Sequence, residues 1–403
     1  MILCKKVEYY YLIDLKNSDL STPIHNDLYF SNILLTDEEK VYFVDWEYAS
    51  MGNKYFDLAL FVCATDLSVE NETELLLQYK DVNLYEYLNE KLVAYFFICT
   101  WAIAKNEIPI NIKYFLTKLE DFYNLVVYLN NLNKKQIEQV LFLDLDGTTL
   151  DTHINGRSSS TQKVRDFLGH LINLNTLYVP STGRGLNWET KLIVDELGSK
   201  NYILGNGAQI VFNDVEIFAK PINSDVLDNI SKQFRASGAV ALINFKDTEI
   251  SYCSNEEIKK QANFFYNLQF ANNDFEIESK VFRMLIWHFK SNVSRKLFKT
   301  WSEKYQSQIH ITKSGPNDNF IEITDAKVSK GITKKLFATL INNSKVKTVH
   351  IGDSMNYSTA VGQLDEVISM KNGSEEFKKL ANIVSEFNNK DEGIINTIKK
   401  YCF

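Results

Sequence analysis

Asp144 and Asp146 stand two residues apart in Leu143-Asp144-Leu145-Asp146-Gly147-Thr148, directly after an apolar run. A carboxylate so placed can attack phosphorus and form an aspartyl-phosphate, which splits one difficult hydrolysis into two easier steps. The carboxyl two residues on can protonate the leaving oxygen and later activate water. Three further clusters supply what that chemistry lacks. Ser181-Thr182-Gly183-Arg184 brings the Thr182 hydroxyl, a donor to the transferring group, and Ser329-Lys330-Gly331 brings a cation. Gly352-Asp353-Ser354-Met355-Asn356 brings another acid. Nucleophile and phosphate are both anions, so a cation must neutralise charge between them. Asp144, Asp353 and the backbone carbonyl of Asp146 are oxygen ligands that suit Mg²⁺. Gly147 allows a sharp turn beneath the phosphate, and Gly183, Arg184, Asn206 and Asn356 are further candidates for contacts to phosphate or substrate.

These clusters need elements that bring them together. Val140 to Leu143, Thr176 to Val179, Tyr202 to Leu204, Val346 to Ile351 and Glu366 to Met370 are short apolar runs, several of them separated by helical patterns. Such runs suit a parallel sheet covered on both faces. Groups at the carboxyl ends of its strands would meet in one crevice, and a helix starting at Lys330 can face the same point. A long insert of mixed helices and alternating strands, roughly 222–312, interrupts the series.

Taken together, these motifs resemble the haloacid dehalogenase superfamily and, within it, the Cof-like sugar-phosphate phosphatases. The likeness covers about 139–403 and includes Asn206-Gly207-Ala208, Glu322-Ile323-Thr324, Met370-Lys371-Asn372-Gly373 and Asp391-Glu392-Gly393-Ile394. It implies an α/β fold: a Rossmann-like parallel-sheet core over 139–221 and 313–403, with 222–312 as an α/β cap that selects substrate. It also implies the roles given above to Asp144, Asp146, Thr182, Lys330 and Asp353.

The first third carries a second constellation. His25-Asn26-Asp27-Leu28-Tyr29-Phe30-Ser31-Asn32 has the HxDxxxxN form of a kinase catalytic loop, with Asp27 as base and Asn32 on magnesium; Asp45 follows where a second magnesium-binding acid is needed. With Tyr55-Phe56-Asp57-Leu58-Ala59 these residues resemble the carboxy-terminal lobe of the choline/ethanolamine kinase and aminoglycoside phosphotransferase family. The mostly helical pattern from about 55 to 130 agrees with that lobe. The polar stretch from Asn130 is read as its end, giving a fragment over 1–130 and a linker over 131–138. ATP binding needs a glycine-rich loop and a strand lysine upstream, yet the first glycine is Gly52. Three readings stay open: a relic or split reading frame, a headgroup-binding pseudokinase lobe, or a half-enzyme completed by a separate N-lobe chain.

Bulk properties narrow the function classes. The chain has 403 residues, 45% hydrophobic and 24% charged, which suits two or three globular domains. A net charge of −7 argues against a nucleic-acid or anionic-membrane partner. Five cysteines without CxxC spacing suggest reduced thiols and a cytoplasmic location. The expected activity is Mg²⁺-dependent hydrolysis of a small phosphorylated metabolite. The alternatives are phosphorylation of a small alcohol such as choline, or non-catalytic binding of a phospho-metabolite.

Two positions depart from the resembled pattern: Thr149, where a leucine is usual, is a minor change, and the other lies in the fourth motif. The fourth motif usually ends in a further aspartate, and here Tyr357 stands in its place. A neutral phenol leaves the metal site one negative charge short. Tyr357→Asp is therefore expected to lower the Mg²⁺ concentration for half-maximal hydrolysis by about tenfold or more, read from a magnesium titration on one phosphomonoester.

Overall fold

A computed structural model describes residues 20–105, 111–154, 157–266, 268–272, 277, 280–314 and 319–403, apart from the side chains of Asn356 and Tyr357. The chain divides into two compact units. One runs to Lys135 and includes Thr339–Asn342; the other holds Gln136–Ala338 and Asn343–Phe403.

The first unit contains two small antiparallel ribbons. Strands β1 (Thr22–Ile24) and β4 (Ser50–Gly52) pair, as do β2 (Ile33–Leu35) and β3 (Val41–Phe43), the latter around the turn expected at Thr36–Glu39. Helices Phe56–Thr65, Val69–Leu76, Leu84–Lys105 and Ile112–Asn133 follow. Inside them Lys91 Nζ sits 2.7 and 2.9 Å from the Glu72 carboxylate, and Tyr87 donates to the same group at 2.8 Å. The last helix runs through Asn133, past the point where the polar stretch was expected to break it. The cause is Leu125, Leu129 and Leu132, which stay buried at helical spacing while the asparagines between them do not disturb that stripe.

In the second unit, β5 (Gln139–Leu143) is buried at every residue. A hairpin of β6 (Thr152–Ile154) and β7 (Arg157–Ser159) and the helix Gln162–His170 lead to β8 (Thr176–Pro180), which lies parallel to β5. After the helix Trp188–Glu196 comes β9 (Tyr202–Leu204), expected in the parallel sheet. It pairs instead with β10 (Gln209–Phe212), itself paired with β11 (Val215–Ala219), both antiparallel. A parallel bridge, Ser181 to Ile203, ties it to the end of β8.

The insert forms its own antiparallel sheet. Its strands are β12 (Val240–Asn244), β13 (Glu249–Tyr252), β14 (Arg283–Trp287), β15 (Ile309–Ser314) and β16 (Phe320–Asp325), in the order β13-β12-β14-β16-β15. Since β16 pairs with both β14 and β15, this sheet reaches Asp325, beyond the expected end of the cap at 312. One face, with Ile243, Met284, Ile286, Ile321 and Ile323, packs on helices Ser224–Ser237 and Ser291–Lys304 around Phe234 and Trp301.

The chain then returns to the core. Helix Lys330–Ala338 precedes β17 (Lys347–Gly352), which inserts beside β5, followed by β18 (Glu366–Ser369) and β19 (Ile383–Val384). The resulting order β19-β18-β17-β5-β8 is parallel throughout. It is the α/β core that the motifs imply.

The turn Gly205-Asn206-Gly207 seats the start of the Lys330 helix. Gly207 has φ +102°, and a Cβ there would stand 2.7 Å from the Ser329 carbonyl oxygen. Its own carbonyl accepts from Thr333 at 2.8 Å. Gly207→Ala is expected to destabilise the unit by about 2 kcal/mol or more, since backbone strain and overpacking act together. A thermal melt showing an unchanged midpoint would contradict this.

Candidate active site

The site grows from the ends of two adjacent strands. Leu143 on β5 pairs with Ile351 on β17, so Asp144 and Asp353 leave the sheet side by side. The Asp144 N–H donates to the Ile351 carbonyl at 3.0 Å. Beyond it the chain makes a wide turn over Leu145–Thr149, extended at Asp146 and left-handed at Gly147, in which Thr149 donates to the Asp144 carbonyl through its hydroxyl at 2.5 Å and its N–H at 3.2 Å. Gly147 has φ +70°, and a Cβ on it would fall 2.1 Å from Asp353 Oδ2. A glycine is thus needed both for the turn and for the approach of the second acid.

Asp144 is buried and lies within hydrogen-bonding reach of Asp353. Burial, then the Asp144 charge, push the Asp353 carboxyl up to about 8. Two acids forced together in this way form an oxygen-donor site that a hard divalent cation relieves. The donors fit Mg²⁺: the Asp144 and Asp353 carboxylates and the Asp146 carbonyl. Among the described residues no three His, Cys, Asp or Glu side chains converge as a cage. The backbone of Asn356 and Tyr357 belongs to the short helix Met355–Ala360, but their side chains lie outside the described part of the structure.

Lys330 opens its helix fully buried and feels the charges of Asp144 and Asp353. Burial lowers its ammonium to about 8, against the pull of Asp144 and Glu322, so it remains mostly cationic at neutral pH. Thr182 is buried at the end of β8, and its hydroxyl oxygen accepts from the Arg184 N–H at 3.1 Å, which leaves its proton for another acceptor. Asp146 is exposed. Arg184 grips both its oxygens, at 2.7 and 2.8 Å, and also lies 3.5 Å from Glu189. In this arrangement the expected acid/base carboxyl and the expected substrate-binding arginine are engaged with each other.

Two charged residues join the site that the motifs did not mark as functional. Glu322 accepts from the Asn206 side-chain amide and pairs with Arg283 at 3.5 Å. Arg283 also donates to Asn244 at 3.2 Å, and Asn244 in turn donates to Glu249 at 2.7 Å. Burial opposes ionisation of Glu322, but Arg283 and Lys330 outweigh it and hold the carboxyl down at about 2. Glu322, Thr312, Thr324 and His310 form a polar square on β15 and β16, facing Asn206 and Lys330. A sequence signal existed for Glu322, a charge flanked by Ile321 and Ile323 in a strand.

A family model for haloacid dehalogenase-like hydrolases matches residues 141–398. The chain belongs to the haloacid dehalogenase-like hydrolases. Phosphatase YwpJ of Bacillus subtilis is 22% identical over 301 residues, covering 65% of this chain and 99% of that protein. A haloacid dehalogenase-like hydrolase from B. subtilis superposes with TM-score 0.55 at 20% identity, covering 65% and 99% of the two chains. The HAD subclass IIB sugar phosphatase BT4131 gives TM-score 0.55 at 17% identity, covering 66% and 99%.

A choline/ethanolamine kinase model matches residues 7–155. The Protein LicA homolog of Mycoplasma capricolum subsp. capricolum is 37% identical over 117 residues, which is 28% of this chain and 49% of that protein. The chain spans about half the length of the curated LicA homologs it matches. In this unit Asn32 donates to the Asp27 carbonyl and carboxylate at 2.8 and 3.0 Å. His25 is buried, its ring 2.8 Å from the Val44 carbonyl, while the Asp57 carboxylate accepts from the His25 and Asn26 N–H groups at 2.7 and 2.9 Å. Asp27, Asn32 and Asp45 line one cavity of about 1340 Å³ together with Tyr48, Phe97 and Trp101. His25 thus has a scaffolding place, and the other three face an open space. Among the described residues no helix is long and apolar enough to cross a membrane.

Proposed function

We propose that the protein is a Mg²⁺-dependent phosphatase acting on a small phosphomonoester with a neutral, hydroxyl-rich leaving group. The convergence of Asp144, Asp353 and Lys330 at one buried point carries this reading. Mg²⁺, held by Asp144, Asp353 and the Asp146 carbonyl, would supply charge neutralisation between nucleophile and phosphate. The Asp144 carboxylate attacks phosphorus, and the aspartyl-phosphate is then hydrolysed. Thr182 and Lys330 hold the transferring oxygens. Asp146 delivers the proton to the leaving oxygen once Arg184 releases it, and Glu189 offers the arginine another anion. On the cap side Arg283 and Glu322 compensate one another, so that surface adds no net charge for a second phosphate to meet. Its hydroxyl, amide and imidazole groups suit a polyol or sugar.

Phosphate release with Mg²⁺, screened over sugar phosphates, nucleotides and phosphocholine, tests this. Sugar phosphates are expected to turn over fastest, and Asp144→Asn to lower kcat by about four orders of magnitude or more, because the nucleophile acts as part of a catalytic unit. Hydrolysis by a carefully purified Asp144→Asn protein near the wild-type rate would remove Asp144 from its role.

The kinase-like unit supports a second reading, favoured by the cavity that Asp27, Asn32 and Asp45 line. It would bind a small amino-alcohol, and phosphate transfer would need a nucleotide lobe with the glycine-rich loop that residues 1–51 lack. Labelled ATP, Mg²⁺ and choline given to the Asp144→Asn chain alone should yield no phosphocholine. Product that disappears with Asp27→Ala would show that this unit is competent by itself.

A further inference from the structure

Beneath the active site the core holds a lysine and a histidine that the chemistry above does not use. Lys334 and His350 are both fully buried. Lys334 Nζ lies 2.9 Å from His350 Nδ1, and that nitrogen lies 2.9 Å from the Phe142 carbonyl oxygen. The surroundings are apolar: Phe142 packs edge-on to Phe337 at 5.9 Å, and Phe337 meets Phe212 at 6.2 Å.

The three members sit on three elements, each just short of or just past a reacting residue. Phe142 is on β5, two residues before Asp144. His350 is on β17, three before Asp353, and it pairs with Phe142 in the sheet. Lys334 is one helical turn after Lys330, on the same side of its helix. We propose that Lys334 and His350 are positioning residues, a polar brace that fixes β5, β17 and the Lys330 helix in the register that phosphoryl transfer requires. The proposal rests on the hydrolase reading for its consequence but on the core geometry for its existence.

Stability does not account for the pair. Burial drives both the Lys334 ammonium and the His350 imidazolium well below their usual range, so the fold carries the pair at a desolvation penalty. Apolar residues of similar volume in place of buried polar groups are often neutral or stabilising. A methionine at 334 would fill the space equally well. It could not fix direction, because dispersion contacts tolerate sliding and hydrogen bonds do not. A shift of about 1 Å in reacting groups can slow an enzyme about 100-fold.

The test uses Lys334→Met, His350→Leu and the double variant in the full chain with Mg²⁺. Three quantities are read: the melting midpoint, kcat and KM on a chromogenic aryl phosphate, and orthovanadate affinity by calorimetry. Each single variant is expected to lose about 10- to 100-fold in kcat with KM within about threefold. The double should lose no more than the worse single, since the two act through one contact. Vanadate affinity should fall about tenfold or more, while the double variant, which removes both partners, melts at or above the wild-type temperature.

Wild-type kcat and vanadate affinity in Lys334→Met would overturn the proposal. So would parallel losses of stability and activity in the double variant, which mean simple core packing. If His350→Leu fails to fold, Lys334→Met alone decides. A wild type that binds vanadate yet hydrolyses nothing would sink the hydrolase reading, and the vanadate affinity of Lys334→Met would still judge the brace. A wild type that does neither removes both.

Discussion

Two carboxylates in contact inside a protein repel, and the catalytic unit is organised around that repulsion. Asp144 and Asp353 lie one and two residues past the last pair of neighbouring parallel strands, so the sheet itself brings them together. Burial and the Asp144 charge together raise the Asp353 carboxyl, so the pair resists carrying two negative charges at once. The fold answers with Lys330 at a buried helix start and with an oxygen set suited to a divalent cation. A phosphate dianion would add to the negative charge gathered there, so a cation is needed beside it.

The cap sheet divides its inner face by the same logic. Towards one end Val240, Trp287 and Phe320 pack with Ala262, Ile258 and Phe289 in an apolar cluster. Towards the other, two and four residues along the same strands, stand Asn244, Arg283, Glu322 and Thr324. Alternation along a strand keeps these on one face. The polar half meets Asn206 and Lys330, with Arg283 and Glu322 offsetting each other so that burial of either charge is supportable. The result is a face rich in hydrogen-bonding groups and nearly neutral overall.

The kinase-like unit follows a different economy. Asp57 at the start of its first helix ties down the backbone of His25 and Asn26, and Asn32 ties down Asp27. The loop is held by its own hydrogen bonds. Its acids and aromatics therefore keep a defined arrangement around a cavity within that unit.

Much of this was determined by the sequence alone. The order of the four motifs, the apolar runs before them and the glycine after Asp146 depend on local chemistry: an exposed strand end, a tight turn, a helix start. Those requirements act over a few residues and leave legible patterns. Tertiary structure decided what depends on distant partners. It placed β17 beside β5, sent β9 into an antiparallel trio, carried the cap sheet on to Asp325 and let the last helix of the first unit run to Asn133 on its buried leucines. It also closed Arg184 on Asp146, Arg283 on Glu322 and Lys334 on His350. A charged residue in a strand or helix announces in sequence only that it needs a partner. Which partner it finds is set by long-range packing, and no spacing along the chain encodes that.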